Sequence, residues 1–431
     1  MPTAFLWDVV LYYHRWRHGI QHVTASLQKT SSPLQIGVLG AAAINTIAIY
    51  DAVSTHPDAT IAGVAARSRA KAEAQIARYK LKDAKGYGSY DELLAVPNID
   101  AVYIPLPNGL HCEWTCKAMR AGKHVLCEKP LASNAEQVRE IMKVSQQTGK
   151  VVLEAFHWRL YPAAHVLKDI VESGRYGKVR EVRAHLGLPA WVIGKDDIRF
   201  NYDLAGGASM DMLYVFSTSS YYAAPSLRGA EVEVLEAKPR KNGKDARIDD
   251  AMEATYTVRT GEHAVVCHVR ADLGAPPLYG FIPKIWAAGD GVGIDLEKAT
   301  ISYGSYAAPY AGHAITITDK ATGNIEKLTA FTDGPQWKKR GQPWWTTYRY
   351  QLEAFVDRVR AVQGGAALQD LAAVEGPWIS LEESEAVMEL VDKVYTKAGM
   401  PKRVWKLNAE STVLKSSMYA RVLTALPAAL T

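Results

Sequence analysis

Residues 34–155 alternate short apolar segments with segments of helical length, and this alternation restricts the possible folds more than any other feature of the sequence. Strands are predicted at Leu34–Leu39, Thr60–Ala65, Ala101–Ile104, Val125–Cys127 and Val151–Ala155. Strands that are separated by helices are joined by right-handed crossovers and therefore form a parallel sheet. The pattern predicts a doubly wound, dinucleotide-binding domain of the Rossmann type.

The pattern changes after Phe156, where alternating and β-branched segments replace the strand–helix repeat. Strands are predicted at Val179–Gly187, Glu231–Ala237, Ala251–Val258, Ala264–Ala271, Lys284–Ala288, Gly293–Leu296, Thr300–Tyr303 and Ala314–Thr318. Several connections are of hairpin length, so we expect a large, predominantly antiparallel sheet that is open on one face. Helices are predicted at Pro162–Ser173, Tyr348–Val362 and Ser380–Lys397.

The predicted fold is therefore α/β, with two domains and two extensions. Residues 1–33 form a helical extension and linker, 34–155 the Rossmann domain, 156–400 the second α/β domain, and 401–431 a C-terminal extension. A chain of 431 residues is long enough for two domains.

Charge and cysteine content exclude several classes of protein. The net charge of +5, without a long run of one sign, is too small to indicate a nucleic-acid partner. The four cysteines are too few for a disulfide framework, and Cys112 and Cys116 lack the second pair that a zinc site needs. No metal is predicted, and the cytoplasm is the expected location.

Apolar residues recur at helical spacing near the N-terminus, at Leu6, Val9, Val10, Tyr13, Trp16 and Ile20. A helix with this face is expected to pack on the body of the protein or on a second subunit. Contact with a membrane surface is the less favoured alternative, which basic amphipathic helices with aromatic residues allow.

The turn after the first strand carries the small residues that close approach of a pyrophosphate requires. It reads Gly40-Ala41-Ala42-Ala43-Ile44-Asn45, a reduced form of G-x-G-x-x-G between a strand and a helix. Cofactor contacts are predicted for Gly40, Ala41, Ala42, Ile44 and Asn45.

The end of the second strand predicts which cofactor binds. An acid at this place would select NAD through the ribose 2′-hydroxyl, but the chain has Ala66-Arg67-Ser68-Arg69. Guanidinium and hydroxyl groups suit a 2′-phosphate, and cations at a helix N-terminus imply an anion nearby. Arg67, Ser68 and Arg69 therefore predict NADP.

Two more loops follow strand ends and belong to the same edge of the sheet. In the first, Pro105, Leu106 and Asn108 are expected to lie against the ribose and nicotinamide, while His111 is a helix cap or a cofactor contact. The second is Glu128-Lys129-Pro130. A lysine at a buried strand end loses hydration and becomes able to exchange protons, with Glu128 able to hold it and Pro130 stiffening the turn.

Together these motifs resemble the Gfo/Idh/MocA oxidoreductase family over residues 34–400. The resemblance rests on Glu128-Lys129-Pro130, on Pro107-Asn108-x-x-His111, and on the segments 154–162 (Glu-Ala-Phe-His-Trp-Arg-Leu-Tyr-Pro) and 203–211 (Asp-Leu-Ala-Gly-Gly-Ala-Ser-Met-Asp). Ala42 and Ala66-Arg67-Ser68 are similar to the branch of dimeric dihydrodiol dehydrogenase and NADP-dependent D-xylose 1-dehydrogenase.

The resemblance implies roles for individual residues. Lys129 would be the catalytic or substrate-orienting lysine beside the nicotinamide, with Glu128 and Pro130 shaping the cofactor site. Trp158, Arg159 and Tyr161 would line the substrate pocket. The open sheet would form the interface of a homodimer or a higher homo-oligomer.

One segment departs from the family. Many members place a glycine two residues, and a Tyr or His four residues, after an aspartate, whereas Asp211-Met212-Leu213-Tyr214 lacks the glycine and has its tyrosine three residues on. Both spacings return to the same helical face, so Tyr214 can serve as the acid/base. Alternatively Lys129 works with Asp211, or the departure marks a different substrate; Tyr214 is equally consistent with a packed core aromatic.

The sequence thus predicts an NADP-dependent oxidoreductase that acts on a small polyhydroxylated or cyclic alcohol or carbonyl compound, with an aldose oxidised at C1 as the leading substrate. The alternatives are a biosynthetic ketone, imine or enone reductase and a non-catalytic NADP-binding sensor. The intact Glu128-Lys129-Pro130 argues against the sensor.

Overall fold

Six parallel strands form the first sheet. The computed structural model describes residues 2–190, 192–194, 196–275, 291–332, 334–338 and 340–403. The strands of this sheet are β1 (Leu34–Leu39), β2 (Ala59–Ala65), β3 (Lys85–Tyr87), β4 (Ala101–Ile104), β5 (His124–Glu128) and β6 (Val152–Ala155). The predicted Rossmann sheet is confirmed. The short edge strand β3 was not predicted, because three residues around Gly86 carry no periodicity.

The strand order places the crevice. The strands are hydrogen-bonded in the order β3-β2-β1-β4-β5-β6, so the winding of the chain reverses between β1 and β4. Ligands bind outside the carboxyl ends of the strands at such a reversal. Gly40, Pro105 and Lys129, each directly after a strand, therefore share one edge of the sheet.

Helices flank this sheet and precede it. They are α1 (Pro2–Arg17), α2 (Ile20–Ser26), α3 (Asp51–Ser54), α4 (Arg69–Tyr79), α5 (Tyr90–Leu94), α6 (His111–Arg120) and α7 (Ala135–Thr148). A π-helical segment, Thr46–Tyr50, leads into α3. The side chains of Ser68, Ser89 and Asn134 accept backbone N–H bonds at the N-termini of α4, α5 and α7, which fixes where these helices begin.

Eight described strands form the second sheet. They are β7 (Val179–Pro189), β8 (Glu231–Lys241), β9 (Asp249–Thr260), β10 (His263–Ala275), β11 (Gly291–Leu296), β12 (Ala299–Gly304), β13 (Ile315–Asp319) and β14 (Ile325–Leu328). Their order is β14-β13-β12-β11-β7-β10-β9-β8. Only β7 and β10 pair in parallel among these strands, so the predominantly antiparallel sheet is confirmed. The predicted strand Lys284–Ala288 lies outside the described residues.

The helices of the second half are α8 (Pro162–Glu172), α9 (Ala208–Asp211), α10 (Tyr214–Ala223), α11 (Thr347–Gln363) and α12 (Leu381–Lys397). Helix α10 packs on β7 and β10, while α12 packs on α7 and β8 and so contacts both halves of the chain. Ser380 and Glu383 cap the start of α12 reciprocally. Of the predicted C-terminal extension, residues 404–431 lie outside the described part.

The N-terminal helix packs on the body through a different face from the predicted one. Leu11 and His14 are buried, and Arg15 forms an ion pair with the buried Asp51. Val9, Tyr13 and Trp16, from the predicted packing face, are 47%, 57% and 65% exposed. An ion pair with a residue 36 positions away, invisible to helical periodicity, orients the helix. Ile20, also from the predicted face, is buried, and packing of the exposed part on a second subunit stays a prediction.

Across the described residues, no helix combines the length and the apolar character that crossing a membrane requires.

Candidate active site

Lys129, directly after β5, reaches across to the second half of the chain. Its Nζ lies 2.7 Å from the main-chain oxygen of Asp211 and 3.3 Å from Asp211 Oδ1. The two side chains are only 14% and 15% exposed. The Glu-Lys-Pro motif and the irregular segment 211–214, far apart in sequence, are therefore brought together at the carboxyl edge of the first sheet.

Asp211 has a second cationic partner, Arg199. Arg199 Nε donates to Asp211 Oδ2 at 2.8 Å, and its Nη1 donates to Asp197 Oδ1 at 3.0 Å. Burial favours the neutral acid, but the charges of Lys129 and Arg199 outweigh it and lower the pKa of Asp211 to about 2. Asp211 is thus ionised at neutral pH. Arg199 was not predicted, because it stands in a polar loop without a motif.

Tyr214 starts α10 beside the same lysine. The Lys129 Nζ lies 5.3 Å from the centre of the Tyr214 ring, within the range of a cation–π contact. The Tyr214 hydroxyl lies 2.7 Å from His157 Nε2. The three-residue spacing from Asp211 therefore still delivers Tyr214 to the site. His157 belongs to the segment that carried the family resemblance, but no role was predicted for it.

Glu128 contacts Lys129 through the backbone rather than through the ammonium group. Its Oε2 accepts from the Lys129 backbone N–H at 3.3 Å, and its Oε1 accepts from the Tyr103 hydroxyl at 2.6 Å. Burial raises the pKa of Glu128. Glu128 therefore fixes the turn that carries Lys129, with Tyr103, which was not predicted, as its partner.

Side-chain hydrogen bonds hold the turn after β1. Asn45 Nδ2 donates to the Gly40 carbonyl at 2.8 Å and to Gln75 Oε1 at 2.9 Å, and Gln75 Nε2 donates to the Ala42 carbonyl at 3.1 Å. Gly40 has φ +132°, and a Cβ there would lie 3.2 Å from Leu106. Ala41 is exposed, Ala42 and Ile44 are half-buried, and the Asn45 Oδ1 is buried without a partner among the described residues. A fixed turn with small, accessible residues fits a pyrophosphate.

The three polar residues after β2 are exposed but differ in their contacts. The Ser68 hydroxyl caps α4 by accepting from the Lys71 backbone N–H. Arg69 forms an ion pair with Glu92 at 3.2 Å. Arg67 makes no ion pair with any described residue, so its guanidinium is available to an anion such as a 2′-phosphate.

His111 joins the loops after β4 and β5. Its Nδ1 lies 2.7 Å from the Pro130 carbonyl oxygen and its Nε2 lies 2.7 Å from the Leu106 carbonyl oxygen, and the side chain is fully buried. Asn108 Nδ2 donates to the Ala205 carbonyl at 3.2 Å. His111 thus braces the two loops; the direct cofactor contacts of Pro105, Leu106, Asn108, His111 and Pro130 stay predictions.

The three predicted substrate residues lie in an aromatic layer of the second domain. Trp158 and Tyr161 are fully buried, and Arg159 is nearly so. Arg159 pairs with Glu383 at 2.9 Å, and its guanidinium lies 3.7 Å from the Tyr221 ring centre. Their role in the substrate pocket stays a prediction.

Comparison with known proteins identifies the family. Residues 34–156 match the Gfo/Idh/MocA family, described as an oxidoreductase family with an NAD-binding Rossmann fold. D-xylose 1-dehydrogenase (NADP(+)) 2 of Haloferax volcanii is 31% identical over 370 residues, which are 85% of this chain and 97% of that protein. The chain belongs to the Gfo/Idh/MocA oxidoreductase family. The predicted family and the prediction of an enzyme are therefore confirmed.

Two other known proteins match less of the chain or match it less closely. Trans-1,2-dihydrobenzene-1,2-diol dehydrogenase of Xenopus laevis is 34% identical over 165 residues, or 38% of this chain and 45% of its own. The structure of KijD10, a 3-ketoreductase from Actinomadura kijaniata in complex with NADP and TDP-benzene, superposes with a TM-score of 0.68 at 23% identity, covering 85% of this chain and 98% of that one. That likeness confirms the fold.

Proposed function

We propose that this protein is an NADP-dependent dehydrogenase or reductase that transfers hydride to or from a carbon bearing oxygen in a small polyhydroxylated or cyclic substrate. The observation that carries the proposal is the contact of Lys129 with Asp211, beside Tyr214, at the carboxyl edge of the Rossmann sheet. Relatives that use NADP support the cofactor.

The residues after β1 and β2 would hold NADP. The turn Gly40–Asn45 fits the pyrophosphate, and Arg67 with Ser68 fits the 2′-phosphate through charge-assisted hydrogen bonds. Bound NADP supplies the hydride acceptor, or in its reduced form the donor, for the substrate carbon.

Side chains of the protein stabilise charge on the substrate oxygen and transfer its proton. The Lys129 ammonium is held by the Asp211 carboxylate and stabilises negative charge on that oxygen. Tyr214 gives a proton to the oxygen in reduction, and its phenolate takes the proton back in oxidation. Asp211 is unsuited to this step because its pKa of about 2 keeps it ionised. The charge state of Asp211 thus favours Tyr214 over Asp211 as the acid/base that works beside Lys129.

An aldose oxidised at C1 is the leading substrate. The supporting relative, a D-xylose 1-dehydrogenase, is matched over 97% of its length. Cytoplasmic location and a homodimer formed through the open sheet belong to the same proposal; the four cysteines, all free and buried, suit a reducing compartment.

A substrate panel tests the activity. Aldoses, dihydrodiols, ketones and imines are each offered with NADP or NADPH, and turnover is followed by the absorbance of NADPH. Lys129→Met should lower kcat by roughly 10²- to 10³-fold while NADPH still binds. Lys143→Met, on the exposed side of α7, is the control. Full activity of the Lys129 variant would remove Lys129 from the mechanism.

A titration tests the choice of cofactor. Arg67→Ala should raise the Kd for NADPH by about 10-fold, the effect of losing one charge-assisted bond, and should leave the Kd for NADH unchanged. Arg69→Ala is the matched comparison, with a smaller expected effect because Glu92 already engages that guanidinium. Equal losses of both cofactors would contradict the role of Arg67.

A further inference from the structure

His157 is buried against the tyrosine that the proposed function uses. It begins the 3₁₀ turn His157–Leu160 just after β6 and is 3% exposed. Its Nε2 lies 2.7 Å from the Tyr214 hydroxyl. On its other side, the imidazole packs against the Tyr348 ring, with 4.1 Å between centroids and 36° between the ring planes, which restricts rotation of the imidazole.

The second ring nitrogen decides which tautomer is present. His157 Nδ1 is buried and has no hydrogen-bond partner among the described residues. A buried N–H without an acceptor is costly and rare, whereas a bare acceptor nitrogen is tolerated better. Burial and the charge of Lys129 lower the pKa of His157 to about 3, so the ring is neutral and carries one proton. That proton therefore belongs on Nε2.

We propose that His157 is a positioning residue that donates its Nε2–H to the Tyr214 hydroxyl oxygen, so that the phenol proton points away from His157 and toward the substrate oxygen. This inference rests on the proposed function, in which Tyr214 is the proton donor. With Nε2–H as donor, the Tyr214 oxygen accepts one hydrogen bond, and its own O–H remains free to donate.

The same bond acts on the charge that forms during proton transfer. In reduction, the O–H bond of Tyr214 breaks, its electron pair stays on the phenolate oxygen, and the proton forms the new O–H bond of the product; water restores the proton afterwards. Burial, Glu128 and Asp211 all raise the pKa of Tyr214, so the phenolate needs a compensating donor. His157 Nε2–H supplies it without adding a charge.

The titratable and charged groups around Tyr214 come from several elements. They are His157 before α8, Glu128 at the end of β5, Lys129 directly after it, Asp211 at the end of α9, Tyr348 at the start of α11, and Tyr306 and Tyr310 between β12 and β13. Among them His157 is the neutral donor in direct contact with the hydroxyl, so its removal should change the titration of Tyr214 while these charges stay in place.

Two variants of similar size separate the hydrogen bond from packing. His157→Met fills the site without a donor, whereas His157→Gln keeps an N–H. In the oxidative direction, kcat rises with pH because the phenolate fraction of Tyr214 rises. His157→Met should displace this profile of kcat against pH by about one pH unit toward higher pH, so that kcat at neutral pH falls roughly 10-fold. His157→Gln should restore most of both. KM should change little in either variant.

Tyr214→Phe distinguishes failure of this inference from failure of the proposed function. If Tyr214→Phe keeps wild-type activity, Tyr214 is not the proton donor, and both its role in the proposed function and the role of His157 are refuted. If Tyr214→Phe is inactive while His157→Met and His157→Gln behave alike, or the pH profile does not move, only the role of His157 is refuted.

Should the His157 variants not fold, the ring ¹⁵N spectrum of the wild-type protein decides. One histidine must show a protonated Nε2 and a bare Nδ1, and its Nε2 resonance must shift in Tyr214→Phe. A histidine that shifts but carries its proton on Nδ1 would overturn the inference.

Discussion

The residue that links the two domains chemically is Asp211. Asp211 forms ion pairs with Lys129 of the Rossmann domain and with Arg199 of the loop before α9. Two cations on one buried carboxylate keep it charged, and a charged carboxylate keeps the Lys129 ammonium in place. Asp211 therefore positions Lys129 rather than moving protons itself.

This charge state makes folding stability depend on pH. The pKa of Asp211 lies near 2 in the folded chain, below its ordinary 3.8. A carboxylate whose pKa is lowered by folding stabilises the folded state above the unfolded pKa and loses that contribution as the pH falls through the folded one. Between about pH 4 and pH 2, wild type should therefore lose about 2 kcal/mol more stability than Asp211→Asn.

Urea unfolding at pH 5 and pH 2.5 measures this difference. Asp196→Asn, at a carboxylate that is 87% exposed, is the control and should follow the wild-type pH dependence. Parallel losses in wild type and Asp211→Asn would show that Asp211 titrates normally.

Which residues of the site could be predicted depended on where the chain carries a pattern. Lys129 ends a strand of a regular strand–helix alternation, so its place at the ligand edge followed from periodicity. Asp211 and Tyr214 followed from the family resemblance. Arg199 stands in a loop without periodicity, and the hydrogen bond between His157 and Tyr214 joins segments 57 positions apart, so neither could be found by spacing.

At the scale of elements, a buried ion pair fixes the short helix α9. Arg403 Nη2 lies 2.8 Å from Asp249 Oδ1, and both side chains are fully buried. Arg403 Nε donates to the Gly206 carbonyl at 2.7 Å, and Asp249 Oδ2 accepts from the backbone N–H and the hydroxyl of Ser209. The pair thus anchors the segment that ends at Asp211.

Removing one partner should be strongly destabilising. Arg403→Met leaves Asp249 buried without its cation and should lower the free energy of unfolding by about 3–5 kcal/mol. Arg139→Met, which breaks exposed ion pairs of α7 with Glu385 and Glu389, should change it by less than about 1 kcal/mol. Thermal or urea unfolding of the two variants compares them directly; equal, small losses would contradict the anchoring role.

At the scale of the whole molecule, α1 contacts both domains. Arg15 pairs with Asp51, just after the π-helical segment that follows the turn after β1. His14 Nε2 lies 2.9 Å from the Trp344 carbonyl oxygen, and its ring lies 5.6 Å from that of Tyr310 in the second domain. Helix α1 is therefore part of the folded body, held through residues that periodicity alone did not select.

The anchoring of α1 can be measured with neighbouring variants. Arg15→Met leaves the buried Asp51 without its cation and should lower the free energy of unfolding by about 3 kcal/mol. Trp16→Ala, at a side chain that is 65% exposed, should change it by no more than about 0.5 kcal/mol. If both variants unfold like wild type, the helix is not held by Arg15.

Helix α1 is joined to the Rossmann domain by the ion pair of Arg15 with Asp51 and to the second domain by the contacts of His14. Moving the two domains apart would break either this ion pair or the His14 contacts, which adds a free-energy cost that a chain without α1 would lack. This cost would apply to binding and release of cofactor and substrate, and not to the chemical step. The N-terminal helix would therefore slow ligand exchange, together with the other contacts that join the two halves, such as those of α12 with α7 and of α11 with α3.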